Sequence, residues 1–168
     1  MSVESVREHM AKWGKSEAVI EHQESTATVE LAARAVGVIP ARIAKTMSFK
    51  GKAPEDESSA NIPVILLVTA GDARVDNGKF KQQFGLKSKM LTPEEALAGT
   101  GHAVGGVCPF ALTNPLAEVY LDLSMKRFST VFPACGSSNS AIELTCDELF
   151  EISGAKEWVD VCKDWNDL

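Results

Sequence analysis

The first apolar residues of the chain, Val3, Val6, Met10 and Trp13, recur at helical spacing, with Ser2 placed to cap the helix and Gly14 to end it. A short strand is expected over Ala18 to His22. A second helix follows over Val29 to Val36, with Thr28 as N-cap, Glu30 near its positive end and Gly37 as its stop. Ile43 to Phe49 alternates as a strand, whereas Pro63 to Thr69 is apolar on both faces and therefore reads as a central, buried one. The polar run Gly51 to Asn61 between them reads as a surface hairpin loop. Helices are expected near Asn77 to Phe84 and Thr92 to Ala98, the latter with a capping box built from Thr92, Pro93 and Glu95. Beyond a glycine-rich stretch come strands near Ala117 to Leu123, Ser129 to Ala134 and Ser140 to Leu144, a helix over Thr145 to Ser153, and a last strand near Glu157 to Val161. Strand and helix blocks mix irregularly and without repeats, which predicts an α+β domain with a mixed sheet or barrel rather than a doubly wound fold.

The alternation in Ile43 to Phe49 places Lys45 in the same row as Ile43, Met47 and Phe49. A cation desolvated without a partner is costly. Lys45 therefore either carries its ammonium along the stem to the rim or meets an anion, such as a ligand phosphate or carboxylate.

Composition narrows the class. The chain has 168 residues, 45% hydrophobic and 24% charged. That length suits one domain, residues 1 to 168, with a hydrophobic core of its own, and no linker interrupts it. No apolar run approaches the roughly 20 residues that span a bilayer, and the polar N-terminus lacks the apolar centre of a signal peptide, so a cytoplasmic protein with no membrane partner is expected. Cys108, Cys135, Cys146 and Cys162 show neither CxxC spacing nor histidines at ligand intervals, which argues for reduced thiols and no metal. A net charge of −6 argues against a generally basic nucleic-acid-binding surface, yet Lys79, Lys81, Lys87 and Lys89 crowd together, as a solvated helix face or a phosphate-contacting stripe.

Candidate chemistry lies mostly in turns. Gly101, Gly105 and Gly106 in Thr100 to Phe110 let backbone N–H groups approach a ligand oxyanion or phosphate, and Pro109 fixes the exit. The stretch matches neither a P-loop nor a dinucleotide fingerprint. His102 can serve as a general base or merely bond its own backbone, and Cys108 as a thiolate nucleophile or an inert core thiol. Gly71 and Gly136 suit strand ends where a ligand or a neighbouring backbone comes close. Asp72 and Asp76 can form an acid/base pair or cap a helix.

The ordered set Ile43 to Phe49, Ala70 to Asp76, Gly105 to Phe110 and Ala134 to Ser140 resembles the YbaK/EbsC family, free-standing relatives of the editing domain inserted in bacterial prolyl-tRNA synthetases. The likeness runs from about Val19 to Cys162. It implies a mixed, barrel-like sheet flanked by helices, and hydrolysis of the ester of mischarged aminoacyl-tRNA without metal or other cofactor, the substrate's own terminal ribose hydroxyl assisting. It implies aminoacyl-tRNA, through its acceptor end, as partner, with a synthetase as a further one. It maps the family's key lysine onto Lys45 and the substrate loops onto Gly101 to Pro109 and Gly136 to Ser140. The site expected is then Lys45 as catalytic residue, with Gly71, Asp72, Gly101, His102, Gly105, Gly106, Val107, Pro109, Gly136, Ser137, Ser138 and Asn139 around the substrate. Thr100-Gly101-His102 and Cys108 depart from the best-studied branches, so the resemblance carries reaction class rather than substrate identity. A non-catalytic module that binds a tRNA end or nucleotide in the same pocket is the alternative.

Overall fold

A computed structural model describes residues 2–52 and 61–166. Its centre is a curled, half-barrel sheet of six strands flanked by helices. The strands are β2 (Ile43–Lys50), β3 (Val64–Ala70), β5 (Ala117–Asp122), β6 (Thr130–Pro133), β8 (Leu144–Thr145) and β9 (Glu157–Val159), in the order β8-β6-β2-β3-β5-β9. The sheet is mixed. β2 runs antiparallel to β3 with Lys45 opposite Thr69, while β2–β6, β3–β5 and β5–β9 are parallel. The expected central strand is β3, every residue of which is buried. Two short pairs complete the strands: β1 (Ile20–Glu21) with β7 (Ser140–Ala141), and β4 (Arg74–Val75) with β10 (Cys162–Lys163).

Five helices lie among the described residues: α1 (Ser2–Ala11), α2 (Val29–Val36), α3 (Asn77–Phe84), α4 (Pro93–Thr100) and α5 (Cys146–Ser153). Their caps follow the local chemistry: Thr28 accepts from Leu31 N, Asp76 from Lys79 N, and both Thr92 and Thr145 close full capping boxes. Val6 and Met10 of α1, Phe80 of α3 and Leu149 and Ile152 of α5 are buried in one core with Leu66, Leu67 and Leu121. Ile43 packs separately against Ala32 and Ala33 of α2.

Some expected boundaries shift. α1 starts at Ser2 itself, so Ser2 is not the residue before the helix. The strand expected from Ser140 to Leu144 is two strands in different sheets, because Ala141 pairs with Ile20 while Leu144 pairs with Val131. The last strand stops at Val159 rather than Val161, since Val161 N turns inward to donate to Asp122 Oδ1 at 3.0 Å, and β10 follows as a separate strand that was not expected. A 3-10 turn occupies Ser16–Ala18, leaving only Ile20–Glu21 of the first expected strand. Most of the expected Gly51 to Asn61 hairpin loop, residues 53–60, lies outside the described residues.

Candidate functional site

The outer edge of β2 is paired in two places with a gap between them. Near its start, Ile43 and Ala44 pair with β6; near its end, Ser48 O accepts from Leu91 N at 3.0 Å and Lys50 N donates to Lys89 O at 2.8 Å. Ser48 and Lys50 point their backbone groups outward, so strand parity turns the N–H and C=O of Thr46 toward the gap. A cavity of about 200 Å³ opens there. Its walls are β2 itself, Thr26 to Val29 at the start of α2, the Met90–Leu91 segment, Val104, Gly105 and Val107, and Phe132 with Ser140 behind. Lys45 is the one ionisable side chain among the described residues lining it. The Thr46 hydroxyl is also buried here with no hydrogen-bond partner among the described residues.

Lys45 is half-buried, and its ammonium meets a backbone carbonyl rather than a carboxylate. Its Nζ donates to the carbonyl of Ala73, 2.5 Å away in the turn after β3. Burial pushes its pKa down; the Asp72 and Glu30 charges oppose the shift and Arg74 adds to it. The row containing it is covered at one end by α2 over Ile43 and at the other by the Phe49–Phe80 contact, with ring centroids 4.9 Å apart. Lys45 and Met47 occupy the stretch between, which places them on the cavity wall.

The two glycine loops meet beside this wall. A side chain on Gly106 would put its Cβ 2.6 Å from Ser137 N and 2.7 Å from the Gly136 carbonyl carbon, so only glycine allows the contact. The second loop is tied in turn to the strand and segment leading into α2. Thr26 N donates to Ser138 O at 2.6 Å and Asn139 Nδ2 to His22 O at 3.0 Å, while Ser137 Oγ donates to Ser140 Oγ at 2.8 Å within the loop itself. Gly105 and Val107 face the cavity, whereas the Gly106 N–H is engaged by Ala103 O at 3.0 Å.

Other expected site residues lie away from the cavity wall. Gly101 caps α4, donating to Leu97 O. His102 is buried; its Nε2 donates to Phe110 O at 2.7 Å, and burial lowers its pKa, which keeps the ring neutral. Cys108 is fully buried 3.5 Å from that nitrogen, and burial pushes its thiol up to about 12, so it is an inert core thiol and not a thiolate nucleophile. Pro109 is buried beside it. Gly71 sits where a Cβ would lie 2.7 Å from Val29 Cγ1, packing the end of β3 beneath α2. Asp72 pairs with Arg127 and Asp76 caps α3, so the two do not form an acid/base pair. Among the described residues no group of three or more His, Cys, Asp or Glu side chains is arranged to hold a metal.

Residues 23–152, and with them every wall of this cavity, match the model of the aminoacyl-tRNA editing domain. The chain belongs to that family. Bacillus subtilis (strain 168) has a relative 55% identical over 98% of this chain and 99% of its own, named uncharacterized protein YwhH. Two solved structures are similar over nearly the whole fold. One comes from work on epitope backbone grafting onto scaffold proteins (TM-score 0.82, 27% identity, 98% of each chain). The other is described as a "putative trans-editing enzyme for prolyl tRNA synthetase" (TM-score 0.81, 31% identity, 96% of this chain and 97% of that one).

The editing domain's cavity is also lined by residues that patterning did not mark as site residues. Thr26, Thr28, Met90 and Phe132 come from separate parts of the chain and meet only through the sheet order. Met90 carried a usable signal, an apolar residue between Lys89 and the Thr92 cap, and it is 57% exposed at the cavity. All four lysines of the stripe are exposed, and Lys79 also bonds Asp160 and Cys162 O.

Proposed function

We propose that this chain acts as a single-domain aminoacyl-tRNA deacylase, hydrolysing the ester that joins a wrong amino acid to the 3′ end of tRNA. Membership of the editing-domain family and similarity to a structure described as a trans-editing enzyme support a role in tRNA editing. The observation that carries the chemistry is a cavity with one lysine, an open strand edge and a glycine loop on its walls. A volume of about 200 Å³ falls below the roughly 300–1,000 Å³ of drug-sized sites, and it suits an aminoacyl group with the ester at its mouth.

The roles follow from the chemistry of ester cleavage. A tetrahedral oxyanion forms when a hydroxyl attacks the carbonyl, and fixed N–H donors or a cation stabilise it most where water is excluded. Lys45 supplies the cation, for the developing charge or the terminal phosphate. The Gly105 and Val107 amides supply donors, since that of Gly106 is already engaged. With no histidine, cysteine or carboxylate on the described walls, a water activated by the substrate's neighbouring ribose hydroxyl is the nucleophile that fits. Lys87 and Lys89, which lead into Met90 at the cavity, give the acceptor end a local positive approach on an acidic protein.

Deacylation of tRNAs charged with alanine, cysteine, serine and threonine tests this reading. Turnover of one or more at rates well above spontaneous hydrolysis is expected. Tight binding of the panel without hydrolysis would instead favour the non-catalytic binding module.

A further inference from the structure

Three polar anchors converge on the four-residue turn that leaves β3, and all three come from a segment outside the cavity. Ala70 N donates to Ser124 Oγ at 3.1 Å. Both carboxylate oxygens of Asp72 accept from the Arg127 fork, Nη1 to Oδ2 at 3.0 Å and Nη2 to Oδ1 at 2.6 Å. The next residue, Ala73, presents the carbonyl that holds Lys45 Nζ.

Arg127 is fixed in turn. Its side chain is only 5% exposed, its Nε donates to Ser124 O at 2.8 Å, and Nη1 also reaches Asn166 O at 2.9 Å. The guanidinium carbon lies 4.9 Å from the ring centres of both Phe128 and Trp165. A guanidinium so surrounded is unavailable to RNA phosphates. A planar fork matched to a carboxylate sets position and orientation together, which a lysine's point charge does not.

We propose that Arg127 is a positioning residue for Lys45: by clamping Asp72 and the Asn166 carbonyl it fixes the Ala73 carbonyl, and through it the ammonium on the cavity wall. This rests on the reading of Lys45 as the cation that meets substrate. The lowered pKa of Lys45 is consistent with an ammonium held in a half-buried place rather than swinging into water.

The test is Arg127→Lys, which keeps the charge and loses the fork. Two measurements are made on it and on the parent: the pH titration of Lys45 by NMR of carbon-labelled lysine, with the resonance assigned by its loss in Lys45→Arg, and deacylation kinetics on a mischarged tRNA that the parent turns over. The Lys45 titration should move up toward the ordinary lysine value, and kcat should fall about ten- to a hundredfold while KM changes less than about twofold, as expected of a misplaced group. If Arg127→Lys does not fold, Trp165→Leu, which removes one flanking ring and leaves the hydrogen bonds, should give the same changes with smaller amplitude. A folded variant whose Lys45 titration and kcat match the parent would overturn the proposal, as would a loss of melting temperature alone. A shifted titration in a protein whose parent hydrolyses no mischarged tRNA would uphold the positioning of Lys45 and overturn the deacylase reading.

Discussion

Lys45→Met separates the two things a half-buried lysine can do, because methionine keeps an apolar stem of similar reach and removes the charge. On the stability side two terms oppose. The variant loses the hydrogen bond to Ala73 O, and a charge-assisted bond of this kind contributes about 1.5–3 kcal/mol. It also loses an ammonium whose desolvation already depresses its pKa, which is a cost in the parent protein. The net change should be about 1 kcal/mol in either direction, or roughly 2–4 °C in Tm for a chain of this length. Activity has no such cancellation. Removing one preorganised donor from a site that stabilises an oxyanion costs about 10²–10³ in kcat, and no other described wall residue carries a charge to replace it. The assay pairs thermal melting with deacylation of a mischarged tRNA. Activity within about threefold of the parent would refute the catalytic role, and a Tm loss beyond about 10 °C would show that the lysine mainly holds the fold.

The pH dependence of stability follows from the same group. The folded pKa of Lys45 lies below its unfolded value, so between the two the unfolded chain binds more protons; the penalty for burying the charge therefore fades as pH rises toward the ordinary lysine value of about 10.4. The urea midpoint of the parent should gain on that of Lys45→Met between pH 7 and pH 10; a constant difference would contradict it. Native protein should resist alkylation at Cys108, and Cys108→Ala should keep deacylation near the parent rate, since a fully buried thiol pushed up to about 12 is neither accessible nor ionised; inactivation by iodoacetamide that tracks Cys108 labelling would count against this. Gly106→Ala should lower stability by about 1–3 kcal/mol and weaken deacylation together, because its Cβ would meet the backbone of Ser137 at 2.6 Å and force the two loops apart. A variant with parent Tm and parent rate would show that the loop contact is dispensable.

Sequence patterning reaches some features of this fold and not others, for physical reasons. β3 was legible because seven consecutive buried positions leave no polar face to conceal, and α4 because Thr92, Pro93 and Glu95 spell out its start. β4 and β10 were not, since two-residue strands are held by each other across about half of the chain and carry no period of their own. The same limit applies to the site. Lys45 stood out by breaking the apolar alternation, and its neighbours Gly105 and Val107 lie at the cavity. His102 takes the backbone-bonding role of the two expected for it, with Phe110 O as partner, though residue type alone does not say which carbonyl. The open edge of β2 is a property of which strands pair where, so Thr46 looked like an ordinary strand threonine until β6 and the Met90 segment were seen to stop on either side of it.

That gap ties the fold to the chemistry. An unpaired strand edge is a liability on a protein surface because its N–H and C=O groups invite another chain. Here the opening is short, lies inside a cavity, and is bounded by Ile43–Ala44 pairing on one side and Ser48–Lys50 pairing on the other. A ligand with both donors and acceptors, as an aminoacyl ester has in its amine and carbonyl, can engage the Thr46 main chain without being long enough to extend the sheet. Recognition through main-chain groups depends little on side-chain identity. If the cavity takes an aminoacyl group as proposed, discrimination among amino acids would fall to the shape of the apolar walls at Val29, Met47 and Phe132, where a methylene too many is worth only about 1–3 kcal/mol. On the proposed deacylase reading, substitutions at Val29, Met47 or Phe132 should change which mischarged tRNAs of an alanine, cysteine, serine and threonine panel are hydrolysed while leaving the overall rate on the best one within about tenfold, and an unchanged order of preference would refute the assignment of specificity to those walls.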